Sequence, residues 1–381
     1  MKKILFVHTT YRNIGGEDVA VNNEINFLKK YYKVEVIKFS NSKISLSDLY
    51  SFFTNSNIIS NRELKSKIKN FNPDFAYVHN TWFKGSLGLF KVLMKNNIEI
   101  ILKIHNFRYD CTRTFLSREH LKGKEFCKAC GLNKNSVGIF NKYFLNSFIK
   151  SVFVNNYGTT YFNLIKRSNF KIVVLTKFHK KYLSKLGINN DRIYVFPNYI
   201  DLVKENINDP KEDVIVYAGR ISEEKGILEL ITSFKKCSFN NTKLIIIGDG
   251  PILSYLKDKF SSEDIEFKGE LPNSEVKKLI NKSKAVVTAT KLFEGQPTLL
   301  CEASSLGVAS IYPKTGGISE FFPAENLLSF EQFNYSELVD KLKLTQDEEI
   351  LKDTGKKNKE YIEKKLNHQK LLEKYQIILD E

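Results

Sequence analysis

The chain has 381 residues, of which 42% are hydrophobic, 13% aromatic and 27% charged. That length suits two domains, each able to bury its own core, and the composition excludes collagen-like, coiled-coil and wholly disordered classes. Net charge is +16 but uneven: residues 1–200 carry 33 Lys and Arg against 12 Asp and Glu, net +21, and residues 201–381 carry 26 against 31, net −5.

The asymmetry points the first half toward an anionic partner, namely a membrane surface, a phosphorylated lipid or a nucleic acid. The competing explanation is a Lys- and Asn-rich composition set by a biased genome, with the charge merely solvating. No run of 18 apolar residues occurs, so no membrane span is expected. Met1-Lys2-Lys3 ahead of Ile4-Leu5-Phe6-Val7 imitates a signal peptide, but four apolar residues are too few for its hydrophobic region. A buried strand and a cytoplasmic location are expected instead.

Strands are predicted at Lys3–His8, Lys33–Phe39, Asp74–Val78 and Glu99–Ile104, with an amphipathic helix at Glu17–Tyr31 and helical pattern near Lys84–Lys95. Phe140–Lys166 is long, aromatic and basic; Lys171–Leu175 and Ile193–Phe196 follow as strands. Apolar periodicity lapses over Asp201–Glu212, which reads as a linker. Strand and helix then alternate again from Val214 to Ile311, and a charged helical segment, Tyr335–Leu379, ends the chain. Such alternation predicts parallel sheets covered by helices on both faces, in two α/β domains, 1–203 and 204–381, with the last helix packing back on the first.

Ligands of open α/β sheets bind at the carboxyl ends of strands, so the loops that follow strands hold the candidates. Gly15-Gly16 lies at the mouth of the first helix, where backbone N–H groups favour an anion. Arg220 and Lys225 flank a short loop within Tyr217–Gly226, where a guanidinium fork and an ammonium can bracket a diphosphate. Glu294 and Glu302 fall in Phe293–Ala303; Glu302 sits about one turn into an apolar helix, costly unless paired, and both carboxylates could converge on one crevice and grip sugar hydroxyls. Gly316-Gly317 opens a further anion-binding turn. Neither a P-loop nor an Asp-x-Asp occurs, so fixed cations rather than a metal-bridging carboxylate pair are the candidates for neutralising a diphosphate.

Tyr217–Gly226, Gly248-Asp249-Gly250-Pro251, the Glu294–Glu302 pair and Thr315-Gly316-Gly317, in this order, resemble the signatures of retaining glycosyltransferase family 4, of the polysaccharide-building kind. Val195–Asp201 resembles the family's segment leading out of its first domain. The resemblance implies the GT-B fold, two Rossmann-like parallel-sheet domains facing each other across a cleft, the first for the acceptor and the second for a nucleoside-diphosphate sugar. It implies diphosphate binding by Arg220 and Lys225, ribose binding by Glu302 and donor-sugar contact by Glu294. Backbone amides of Gln296, Pro297, Thr298 and Leu299 would lie near sugar or phosphate, and Gly15 and Gly16 would reach the diphosphate from the first domain. His105 matches a cleft histidine beside the reacting sugar, and with Glu294 forms the expected catalytic pair. Asn106 stands where many relatives carry Asp, which leaves any carboxylate there in doubt.

Cys111, Cys127 and Cys130 cluster in a basic insertion, and with His120 could make a structural zinc site, although free thiols are the more economical reading. The helix over Ile139–Lys166 either packs on the first sheet or lies in a membrane interface. His8, His79, His179 and His368 receive no role. The expected protein is a metal-independent, cofactor-free glycosyltransferase with a glycan or lipid-linked glycan acceptor, peripheral on the inner face of the cell membrane. A GT-B epimerase or hydrolase, or a basic nucleic-acid-binding protein, are the alternatives; the preferred reading has no nucleic-acid partner.

Overall fold

In the computed structural model, which describes residues 1–11, 16–42, 46–112, 142, 144, 147–200, 202 and 211–380, the chain divides into two compact units. The first comprises Met1–Tyr199 with Glu373–Glu381, the second Ile200–Leu372. Each is built round a six-stranded parallel sheet.

The first sheet contains β1 (Lys3–Thr10), β2 (Lys33–Ser40), β3 (Phe75–Val78), β4 (Glu99–Ile104), β5 (Lys171–Val174) and β6 (Ile193–Val195), in the order β2-β1-β3-β4-β5-β6. Ile4 to Val7 are fully buried, as a central strand covered on both faces must be. Helices α1 (Gly16–Leu28), α2 (Leu46–Thr54), α3 (Ile58–Phe71), α4 (Gly88–Lys95), α5 (Phe148–Arg167) and α6 (Lys177–Lys185) connect the strands.

Sequence periodicity does not predict α2 and α3, and the reason lies in α3. It buries a stripe only one residue wide, Ser60, Leu64, Ile68 and Phe71, under a polar surface. Its start is marked instead by Asn57, whose side-chain oxygen accepts from the amides of Ile59 (3.0 Å) and Ser60 (3.1 Å). The aromatic basic segment becomes α5, which buries Val154, Tyr157, Tyr161 and Ile165 and leaves Phe148 and Ile149 exposed. Among the described residues no helix is long and apolar enough to cross a membrane.

The second sheet contains β7 (Val214–Ala218), β8 (Lys243–Ile247), β9 (Ile265–Gly269), β10 (Ala285–Val287), β11 (Ala309–Lys314) and β12 (Ser329–Glu331), in the order β12-β11-β10-β7-β8-β9. Around it lie α7 (Ile227–Cys237), α8 (Leu253–Phe260), α9 (Asn273–Lys282), α10 (Thr298–Ser305), α11 (Tyr335–Lys343) and α12 (Glu348–Lys365). The last helix, α13, spans His368–Asp380.

The first core contains a charge. Lys103 on β4 and Glu24 on α1 are both 0% exposed and pair at 2.7 Å. The Tyr77 hydroxyl of β3 donates to the other Glu24 oxygen at 2.9 Å, and the Lys103 ammonium lies 4.9 Å from the Phe196 ring. The side chain of Tyr375, on α13, packs edge-on against Tyr77 and against Phe196. Removing one ion of a buried pair strands the other, at a cost of about 3–5 kcal/mol. Lys103→Met should therefore lower unfolding free energy in denaturant by about that amount, and adding Glu24→Gln should recover part of it.

Candidate active site

The strand orders place a crossover inside each sheet. In the second, the chain runs outward from β7 through β8 and β9, then returns to start β10 on the other side of β7. Helices on either side of such a point diverge and leave a crevice at the carboxyl ends of the two strands. The loops after β7 and β10 meet there. The Lys225 ammonium contacts Glu294 Oε1 at 2.5 Å, and the Thr290 hydroxyl donates to the same oxygen at 2.8 Å. Both ions are about a quarter exposed, with side-chain accessibilities of 29% and 26%.

This pair is held by backbone packed on backbone. Gly226 has φ +69°, and a Cβ on it would lie 2.0 Å from the Ala289 carbonyl oxygen. Gly316 has φ +56°, and a Cβ there would lie 2.3 Å from the Glu294 carbonyl oxygen. The Lys291 amide donates to the Glu224 carbonyl (3.0 Å), and the Gly317 amide to the Glu294 carbonyl (2.8 Å). One of the two glycine amides expected to face an anion at 316–317 is thus used within the protein. It tethers the Glu294 loop.

The other expected donor-site residues fall nearby in sequence but have separate partners. Arg220 is exposed, and its carbonyl accepts from the Tyr217 hydroxyl at 2.9 Å. Glu302 is buried on α10, as its apolar neighbours require, and is paired from α9: Asn273 and Lys277 each approach its Oε1 at 3.4 Å. Glu294 and Glu302 therefore share no described partner. Gln296 is buried, Pro297 precedes α10, and Thr298 and Leu299 form its first turn, where amides lack intrahelical acceptors.

In the first sheet the crossover lies between β1 and β3. A pocket opens there, lined among others by Glu17, His79, His105, Asn106, Arg108 and Tyr157. His79 Nδ1 and His105 Nε2 lie 2.9 Å apart, with rings stacked at 5.2 Å. Burial drives both imidazoles well below their ordinary range, and the neighbouring cations add to it. The other ring nitrogens, His79 Nε2 and His105 Nδ1, are buried without a hydrogen-bond partner. Because one shared proton lies between them, the neutral pair presents one donor and one acceptor in either tautomer.

Asn106 clarifies the missing Asp. Its amide donates to Glu17 Oε2 at 3.3 Å, while its oxygen accepts from the Arg108 amide at 3.0 Å. A carboxylate at 106 would face the Glu17 carboxylate, so the asparagine fits a site whose acid comes from α1. Glu17 also accepts from the Tyr11 hydroxyl at 3.0 Å, and burial raises its carboxyl above the usual range. Behind it, His8 Nε2 and Asp18 Oδ1, both buried, lie 2.8 Å apart and fasten α1 to β1.

The sequence does not single out Glu17 or Arg108 and gives His79 no role; their one signal is position, just beyond the carboxyl ends of strands. Gly16 is the exposed first residue of α1, whereas Gly15 lies outside the described residues. So do Cys127, Cys130 and His120, and only buried Cys111 of that cluster is described. His179 is a core residue: its Nε2 meets the Tyr109 hydroxyl at 2.8 Å, and its ring stacks on Phe107.

Comparison with known proteins agrees with the motifs. Residues 200–365 match the family model described as Glycosyl transferases group 1. Over 151 residues the chain is 28% identical to the amylovoran biosynthesis glycosyltransferase AmsD of Erwinia amylovora, covering 37% of this chain and 42% of that protein. It is 23% identical over 211 residues to the N-acetyl-alpha-D-glucosaminyl L-malate synthase of Bacillus anthracis, covering 54% of this chain and 55% of that one. The matches thus span about half or less of these relatives. Among solved structures, Anabaena Alr3699/HepE in complex with UDP and glucose superposes with a TM-score of 0.70 at 14% identity, over 100% of both chains. The fold is α/β of the GT-B type.

Two outcomes follow from this geometry. Gly226→Ala must force a left-handed residue to carry a Cβ into a carbonyl, and should lower stability by about 1–3 kcal/mol in thermal or denaturant unfolding. His79, His105 and His179 are held below the ordinary 6.5, His179 at about 3, so the unfolded chain takes up protons first. Their contribution to stability is full above pH 6.5 and is lost as pH falls toward 3. Unfolding free energy measured across that window should decline, and less steeply in His179→Gln.

Proposed function

We propose, from the premise that residues 200–365 are of the glycosyltransferase group 1 family, that the chain is a retaining glycosyltransferase of cell-surface polysaccharide synthesis. It moves a sugar from a nucleoside-diphosphate sugar to a hydroxyl of a glycan acceptor, lipid-linked, at the inner face of the membrane. The observation that carries the reading is the Lys225–Glu294 pair at the crossover of the second sheet, inside the matched segment. A cation already held at the mouth of that crevice can turn from its carboxylate to an incoming diphosphate. Glu294, released from Lys225, is then free to accept hydroxyls of the donor sugar.

The exposed guanidinium of Arg220 adds a bidentate anchor in the same loop. Stabilising the departing diphosphate with fixed cations needs no reorganisation during reaction, and such preorganised charge is the largest contribution in many transferases. Glu302, approached by Lys277 and Asn273, is suited to accept from ribose hydroxyls. The amides of Gln296, Thr298 and Leu299 orient the transferred sugar. Arg220 and Lys225 supply the positive charge that a metal would otherwise bring, so turnover should persist in chelator. The UDP bound in the Anabaena structure makes a uridine donor the first to test.

Arg220→Ala, Lys225→Met and Glu302→Ala should each reduce donor turnover at least tenfold, about 1.4 kcal/mol of transition-state stabilisation. Full activity in folded variants would remove the assignment. A thermal-shift screen of UDP- and GDP-sugars should single out the donor, because a ligand raises stability according to its saturation.

A further inference from the structure

We propose that the pocket at the β1–β3 crossover of the first unit is an oxyanion subsite, in which Arg108 binds a carboxylate or phosphate ester carried by the sugar acceptor. The word acceptor rests on the glycosyltransferase reading; the binding chemistry rests on the pocket alone.

Arg108 lines this pocket, and its guanidinium carbon lies 4.2 Å from the Trp82 ring centroid and 5.6 Å from that of Tyr11. Stacking on an aromatic ring fixes the guanidinium plane and leaves its N–H donors directed along the edge, where an oxyanion docks bidentately. Its Nε is buried and has no hydrogen-bond partner among the described residues. No described carboxylate lies within ion-pair distance of it. Lys103, the other cation of the lining, is committed to Glu24 and leaves Arg108 as the available charge. Glu17 and Tyr11 act on Arg108 electrostatically, but a half-buried guanidinium with an unsatisfied Nε and no ion pair among the described residues is an unfinished site.

The remaining groups define what accompanies the anion. His79 Nε2 and His105 Nδ1 line the same pocket, unpartnered, as one donor and one acceptor; His79 is only 3% exposed. Such a pair fits a hydroxyl, which donates once and accepts once. Glu17 is the pocket's own acid, and it is occupied by donors from Tyr11 and Asn106. Burial raises its carboxyl above the usual range, and the charge of Arg108 opposes that rise. An oxyanion with hydroxyls beside it describes a sugar acid or a sugar phosphate.

The test titrates the full chain with methyl glucuronide, glucose 6-phosphate, neutral methyl glucoside and UDP, by ligand-observed NMR or calorimetry. One anionic sugar should bind at least about tenfold more tightly than the neutral one, as expected for a charge-assisted bond. Which of the two wins separates a carboxylate from a phosphate source. Arg108→Gln should abolish the preference and Arg108→Lys, which keeps the charge without the fork, should retain part of it, while UDP affinity changes less than about twofold in both. Equal binding of neutral and anionic sugars by the wild type overturns the subsite. Loss of UDP rather than of the anionic sugar in Arg108→Gln overturns it too, by assigning the arginine to the donor. Failure of the wild type to bind any nucleotide would count against the glycosyltransferase reading, with the sugar titrations still deciding the subsite.

Discussion

A parallel sheet whose first strand lies in its interior must send successive crossovers to opposite sides, and where they part nothing covers the carboxyl ends of the two central strands. Both units obey this constraint, and the pairs at the mouth of each crevice depend on it. β7 and β10 bring Lys225 to Glu294; β1 and β3 bring Glu17 to within reach of Asn106 and a histidine pair. Residues 69 positions apart meet because their strands are neighbours, not because anything local directs them.

The two crevices are stiffened differently. In the second unit the loops are packed main chain to main chain, with Gly226 against Ala289 and Gly316 against Glu294, so loop positions are set by atoms that cannot change rotamer. The side chains they carry remain partly exposed and able to exchange partners. In the first unit the stiffening is polar and buried: Lys103 with Glu24, His8 with Asp18, and stacked His79 and His105. Buried ions and imidazoles tolerate few arrangements, because an unpaired one is costly. The outcome is a pocket whose unpartnered atoms, His79 Nε2, His105 Nδ1 and Arg108 Nε, are held ready in place.

A departure from the family pattern illustrates how local chemistry compensates. Asn106 cannot supply a carboxylate, yet Glu17 places one beside it from a different element, and the asparagine amide is what permits that approach. Glu302 and Glu294 are separated in the same way: each pairs with its own lysine, Lys277 and Lys225, and neither needs the other's crevice for a partner.

The strand–helix alternation was legible in the chain because buried parallel strands are short apolar runs and their helices carry wide apolar faces. Glu99–Ile104 coincides with the predicted strand for that reason. Where a helix buried a narrow stripe, as α3 does with Ser60, Leu64, Ile68 and Phe71, periodicity was too faint to read. Residue type and position after a strand marked Arg220, Lys225, Glu294 and Glu302 as candidates, since a charge beside apolar neighbours needs a partner. Their partners were settled only by tertiary structure: strand order put Lys225 on Glu294, and the packing of α9 against α10 put Lys277 on Glu302. Glu17, His79 and Arg108 share no spacing that a linear pattern could reveal. Sequence determines which groups must find company; the fold, by choosing which strands lie side by side, determines with whom.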